Sequence, residues 1–154
     1  MKDLKLIAQK MIANGKGILA ADESTPTCTK RFEAVGMKST EETRNEYRST
    51  LFQTDSLENY ISGVILYDET FHQNLINSST SIPEYLKQKN ILPGIKVDTG
   101  AKTLAKHSPE KITEGLDGLR ERLKNYHNLG AAFAKWRAVI TIDDNLPSKG
   151  CLHA

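Results

Sequence analysis

Four short apolar runs, each carrying or closing on charged residues, set the strongest constraint on this chain. They are Gly17-Ile18-Leu19-Ala20-Ala21, ending in Asp22-Glu23-Ser24; Gly63-Val64-Ile65-Leu66-Tyr67, followed by Asp68-Glu69-Thr70; Gly94-Ile95-Lys96-Val97-Asp98; and Ala132 to Ile142, with Lys135-Trp136-Arg137 inside it. Helical patterns separate them. Met1 to Gly15 places Leu4, Ile7, Ala8, Met11 and Ile12 at helical spacing, leaves Lys2, Lys5 and Lys10 to solvent and ends on Gly15. Thr25-Pro26 reads as a cap with a first-turn proline, opening a helix to Gly36. Ser39 and Glu42 have capping-box spacing ahead of the Tyr47–Leu51 apolar pair, and Ser81-Ile82-Pro83 starts a shorter helix. After a polar loop, Leu116, Leu119, Leu123 and Tyr126 share one face of a helix stopped by Gly130. Strands alternating with helices predict a parallel sheet with right-handed crossovers.

The 154 residues suit one continuous unit, with no linker or low-complexity tract dividing them. They fall short of the roughly 200 that a complete (β/α)₈ barrel requires. Asp143 to Ala154 holds no helix long enough to cover the fourth strand, so the pattern is expected to leave a parallel edge exposed. Ser148 to Ala154 reads as the start of a further helix.

A net charge of +2, from 21 basic and 19 acidic residues with the signs interspersed, argues against nucleic-acid binding. No apolar stretch approaches the ~20 residues of a membrane span, and the N-terminus lacks the continuous apolar core of a targeting segment. Cys28 and Cys151 are too few and too far apart for a disulfide framework, which fits a reduced, cytoplasmic setting.

Parallel strands buried on both faces normally read as unbroken apolar runs, so Lys96 and Lys135 are anomalies. Alternation puts Lys96 with Asp98 on one face, and Lys135 with Arg137 on one face opposite Trp136. Asp22 closes the first strand at the same end, where α/β folds gather their ligands. The resulting cationic mouth suits an anion, and lysines crowded by other cations can supply an amine for proton transfer or carbonyl attack. The plain alternative is that these lysines pair with carboxylates or reach solvent from a sheet edge. Arg31 and Arg44 fall in helical stretches, where a surface ion pair is the default. Gly15-Lys16-Gly17 lacks P-loop spacing, no dinucleotide fingerprint is present, and Cys151 with His153 offers too few ligands for a metal site.

The four runs, in this order, closely resemble class I fructose-bisphosphate aldolase, and the resemblance extends from the first helix to Leu146-Pro147-Ser148. It implies an α/β fold of the (β/α)₈ TIM-barrel family. Residues 1–154 would be the N-terminal half of a single barrel domain, about four strand-helix units, with the C-terminal part absent. The family cleaves fructose 1,6-bisphosphate to dihydroxyacetone phosphate and glyceraldehyde 3-phosphate in glycolysis and gluconeogenesis, through a lysine Schiff base and without metal or other cofactor. By resemblance Asp22 and Lys135 are catalytic: Asp22 assists proton transfers at the covalent intermediate, and Lys135 assists carbinolamine formation and dehydration. Lys96 and Arg137 line the substrate channel, while Arg31 and Arg44 match arginines associated with the phosphate ends. Full-length members are often homotetramers, with no nucleic-acid or membrane partner.

The family's paired glutamates, Schiff-base lysine and later phosphate-binding loop lie beyond the motifs present, so the isolated chain is expected to be inactive. A non-enzymatic reading is a half-barrel that binds phosphate esters or assembles through its open sheet edge. Another barrel-type Schiff-base enzyme, such as transaldolase, fits the lysine-in-strand logic but not this series of motifs.

Overall fold

Ile95 and Val97 alternate with Gly94, Lys96 and Asp98, and the buried Val64 and Leu66 flank the less buried Ile65, so a period of two in burial marks these apolar runs as strands. The computed structural model describes residues 4–154. Its strands are Gly17–Ala21 (β1), Ile61–Leu66 (β2), Leu92–Lys96 (β3), Gly100–Thr103 (β4), Lys111–Glu114 (β5) and Phe133–Lys135 (β6). Strands β1, β2, β3 and β6 form one parallel sheet in that order, as the alternation predicts. The helices are Leu4–Met11 (α1), Thr25–Ala34 (α2), Glu41–Phe52 (α3), Leu57–Tyr60 (α4), Asp68–Phe71 (α5), Ile82–Gln88 (α6), Leu119–Leu129 (α7) and Lys149–His153 (α8). None is long and apolar enough to cross a membrane.

The core lies on one face of the sheet. Ala21, Val64, Leu66 and Ile95 are fully buried there and cluster with Phe52, Phe71, Leu75, Ile82, Leu86, Ile91 and Tyr126 from the surrounding helices and loops. The opposite face carries Gly63, Gly94, Lys96, Phe133 and Lys135. Gly94 pairs in register with Phe133, and Lys96 with Lys135. A side chain at Gly94 would run into the Phe133 ring, so the glycine is what lets that ring lie flat on the strand.

The structure revises several local expectations. Only Phe133–Lys135 of the long fourth run is a strand, because β3 ends at Lys96 and the next inward backbone N–H, that of Arg137, donates to Asp98 Oδ2 at 3.3 Å. The polar loop before α7 holds an antiparallel hairpin, β4 with β5, whose short polar strands carry no readable alternation. Leu116 precedes α7 and is 73% exposed; the helix begins at Leu119 after Gly118. Thr40 and Thr43, not Ser39 and Glu42, make the capping box of α3, since the Ser39 hydroxyl is taken by Thr29 and Arg44. Ser24, not Thr25, stands at the N-cap position of α2, with its side chain making no capping hydrogen bond. The spaced apolar residues of α1 cover no core, with Leu4 and Ile12 each 81% exposed; Met1, Lys2 and Asp3 lie outside the described residues.

Candidate active site

The C-terminal ends of all four parallel strands open into a cavity of about 350 Å³. Asp22, Glu23, Ser24 and Thr27 come from the turn after β1 and the start of α2. Tyr67 follows β2, Lys96, Asp98, Thr99 and Gly100 follow from β3, and Lys135 and Arg137 come from β6. Of the six residues singled out in the sequence, Asp22, Lys96, Lys135 and Arg137 therefore share one cavity.

Two ammonium–carboxylate pairs organise it, as the plainer sequence reading of the lysines expects. Lys135 Nζ donates to Asp22 Oδ2 at 2.6 Å, bridging the two outermost strands of the sheet. Lys96 Nζ donates to Asp98 Oδ1 at 2.7 Å and to the Asp98 carbonyl at 2.8 Å. Burial alone would raise the Asp98 carboxyl. The Lys96 hydrogen bond and charge, the Arg137 backbone N–H and the Lys135 charge outweigh it and hold Asp98 below the usual carboxylate range. Asp98 therefore stays an anion and keeps Lys96 aimed across the cavity. The Arg137 guanidinium has no partner among the described residues, leaving an exposed cation at the mouth for an anionic ligand.

Arg31 and Arg44 stand apart from this group. Arg31 is 59% exposed and pairs with Glu23 Oε1, so it reaches the cavity only through that carboxylate. Arg44 is buried and grips Glu69 with two nitrogens, Nε at 2.9 Å and Nη2 at 2.6 Å. Its ion pair is a buried one, where the sequence suggested a surface one. The Arg44 hydrogen bond and charge hold the Glu69 carboxyl below its ordinary range against the opposing effect of burial.

Sequence reasoning missed Glu23, Ser24, Thr27, Tyr67 and Thr99 as lining residues. It also missed Arg48, whose side chain is completely buried behind the cavity. The readable signal was Arg44 and Arg48 four apart on one helix with Tyr47 beside them, too many long polar groups for a face that must pack on the sheet.

Strand-end lysines and carboxylates facing one cavity, on parallel strands curved enough to bring the outer two together, define a (β/α)₈-barrel site of which this chain supplies about four strand-helix units. Residues 3–154 match the family model of fructose-bisphosphate aldolase class-I, and the chain belongs to that family. It is 51% identical, over its whole length, to a probable fructose-bisphosphate aldolase class 1 of Xylella fastidiosa, of which it covers 46%. It is 52% identical over 151 residues to fructose-bisphosphate aldolase 1 of Toxoplasma gondii, covering 40% of that protein. Among solved structures it is similar to the Plasmodium falciparum fructose-bisphosphate aldolase, crystallised with TRAP and a small-molecule inhibitor. That match has a TM-score of 0.92 and 46% identity, and spans 97% of this chain and 44% of the other. The chain thus spans a little under half the length of these relatives.

Proposed function

We propose that this protein acts in the Schiff-base cleavage of fructose 1,6-bisphosphate to dihydroxyacetone phosphate and glyceraldehyde 3-phosphate, and that these residues supply the proton-transfer and anion-binding part of the site. The observation that carries the reading is the 2.6 Å Lys135–Asp22 pair, set in one cavity with Lys96 and Arg137. A carbinolamine loses its hydroxyl as water only when a proton reaches that oxygen. An ammonium held against a carboxylate can deliver the proton, and it is recharged when that carboxylate has taken a proton from the covalent intermediate and passes it back. Lys135 is the donor in this scheme and Asp22 the group that orients it and takes protons at the covalent intermediate. Lys96 and Arg137 hold the substrate's oxygens or phosphate. Arg31, released from Glu23, serves a phosphate end, and Arg44 supports that end from behind. By the family resemblance the nucleophilic lysine lies beyond the motifs present, so in this reading neither Lys96 nor Lys135 takes that role. The free thiols of Cys28 and Cys151 fit a cytoplasmic setting, and the reading needs no metal.

The test uses the 154-residue chain itself. Calorimetry is expected to show saturable binding of fructose 1,6-bisphosphate, a coupled assay no cleavage, and borohydride reduction in its presence no added mass. Absence of saturable binding refutes the anion-site assignment; a trapped adduct or turnover refutes the division of roles.

A second reading, a non-catalytic half-barrel assembling through its edges, is favoured by one observation. Strands β1 and β6 are each paired on one side only among the described residues. Sedimentation separates the two: a defined dimer supports edge pairing, and a monomer at all concentrations removes it.

A further inference from the structure

We propose that Arg48 is a positioning residue, which fixes the Asp22 carboxylate against Lys135 by clamping together the turns that follow β1 and β2. The proposal rests on the site reading above but concerns a residue that touches neither the cavity nor any ligand.

The clamp has two arms. On one, Arg48 Nη2 donates to the Glu23 carbonyl at 2.6 Å, one residue beyond Asp22, and lies 3.6 Å from Cys28 Sγ on α2. On the other, Nη1 donates to Glu69 Oε1 at 3.2 Å, at the head of α5. The guanidinium carbon also lies 5.8 Å from the centre of the Tyr67 ring, which lines the cavity. One planar cation thus joins the ends of two neighbouring strands. Only a guanidinium offers two donor edges at this spacing together with a flat face for an aromatic ring.

The rest of α3 reinforces the same two points. Tyr47 donates its hydroxyl to Glu23 Oε1 at 3.3 Å, and Arg44 holds Glu69. Residues 44, 47 and 48 share one helix face, which is why α3 meets the sheet with polar groups where an apolar stripe is usual. Burying a full charge is costly, and an apolar residue of similar volume would fill the space without that cost. An arginine here is therefore better explained by the geometry it imposes than by the stability it adds.

The test reads the pair spectroscopically in the ligand-free chain. NMR follows Asp22 Cγ and Lys135 Nζ, with the Val64 and Leu66 methyl groups as witnesses that the core is intact. Arg48→Lys keeps a cation opposite Glu69, but one ammonium cannot span both arms. The expected result is that both pair signals move by more than a linewidth while the core methyls stay in place. Unmoved pair signals in a folded Arg48→Lys chain overturn the proposal. Should that variant fail to fold, Glu69→Gln decides the matter, because it loosens only the β2 arm. The Asp22 and Lys135 signals are then expected to shift together with those of the Tyr67 ring, and unmoved Asp22 and Lys135 signals overturn the clamp. Adding fructose 1,6-bisphosphate to the wild-type chain keeps the two ideas separate. No response to it refutes the proposed function, whereas the ligand-free signals still decide the role of Arg48.

Discussion

Lys135 Nζ and Asp22 Oδ2 meet at 2.6 Å although β6 and β1 are the outermost strands of the four-stranded sheet. Neighbouring strands lie about 4.8 Å apart, so a flat sheet would hold these two strands roughly 14 Å apart. Two extended side chains joined by this bond reach slightly less than that, so the contact fits a sheet curved toward its inner face, as the wall of a barrel is, with the site on the concave side.

Removing the ammonium tests the site. In Lys135→Met the Asp22 carboxylate loses its partner and faces the cavity as an uncompensated anion. A charge-assisted hydrogen bond contributes about 1.5–3 kcal/mol, so binding of fructose 1,6-bisphosphate is expected to weaken by about tenfold or more. Calorimetry on the two chains measures the ratio, and equal affinities would remove Lys135 from the ligand's environment.

Asp98 and Glu69 both titrate below their ordinary values in the folded chain. Each is therefore stabilising while ionised. That contribution is complete above the unfolded-state values near ~4 and disappears as pH falls through the lower folded-state ones. Urea unfolding between neutral pH and pH ~2 is expected to show stability falling on the acid side. The fall should be shallower in Asp98→Asn and in Glu69→Gln, and an unchanged slope in both would place the acid sensitivity elsewhere.

The strands were legible because the apolar runs Gly63–Leu66 and Gly94–Val97 each open on a glycine and are rich in β-branched residues, and packing on the core buries every second side chain, Val64 with Leu66 and Ile95 with Val97. The site was legible for a related reason: a lysine inside a buried strand has few explanations, so Lys96 and Lys135 stood out. The β4–β5 hairpin was not, since Gly100–Thr103 and Lys111–Glu114 are short, bury no residue fully and leave no hydrophobic signature. Arg48 was not, because its meaning lies in contacts to Glu23, 25 residues away in sequence, and to Glu69, 21 away. Caps at Ser24 and Thr40 were each misplaced by one residue, because Ser24-Thr25 and Ser39-Thr40 each set two hydroxyl residues side by side and spacing alone does not choose between them.

Burial, then a hydrogen bond from its hydroxyl to Asp68 Oδ1 at 2.6 Å, pushes the Tyr126 phenol up to about 12. The neutral phenol is the form the fold favours. Its contribution to stability is complete below an ordinary tyrosine value of about 10 and is lost as pH rises through the folded value. An ultraviolet titration is expected to show two tyrosines ionising late, Tyr126 and Tyr47, the latter held up by burial and the Glu23 carboxylate, and Asp68→Asn should bring only Tyr126 downward. A titration in which every tyrosine ionises near ~10 would contradict the buried environment of Tyr126.

Gly63 and Gly94 both lie beneath the Phe133 ring, but not equally. A Cβ at Gly63 would come to 3.1 Å from the ring, a contact that a small shift relieves, whereas at Gly94 it would occupy the ring's own space. Gly94→Ala must therefore expel Phe133, and with it the register Gly94–Phe133 and Lys96–Lys135 that carries Lys135 to Asp22. Overpacking of this kind costs about 1–3 kcal/mol, and here the strain falls on the shortest strand of the sheet. Gly94→Ala is expected to lower stability more than Gly63→Ala in urea unfolding, and to disturb the Lys135 Nζ signal when Gly63→Ala leaves it in place. Equal effects from the two would mean that Phe133 does not set the position of β6.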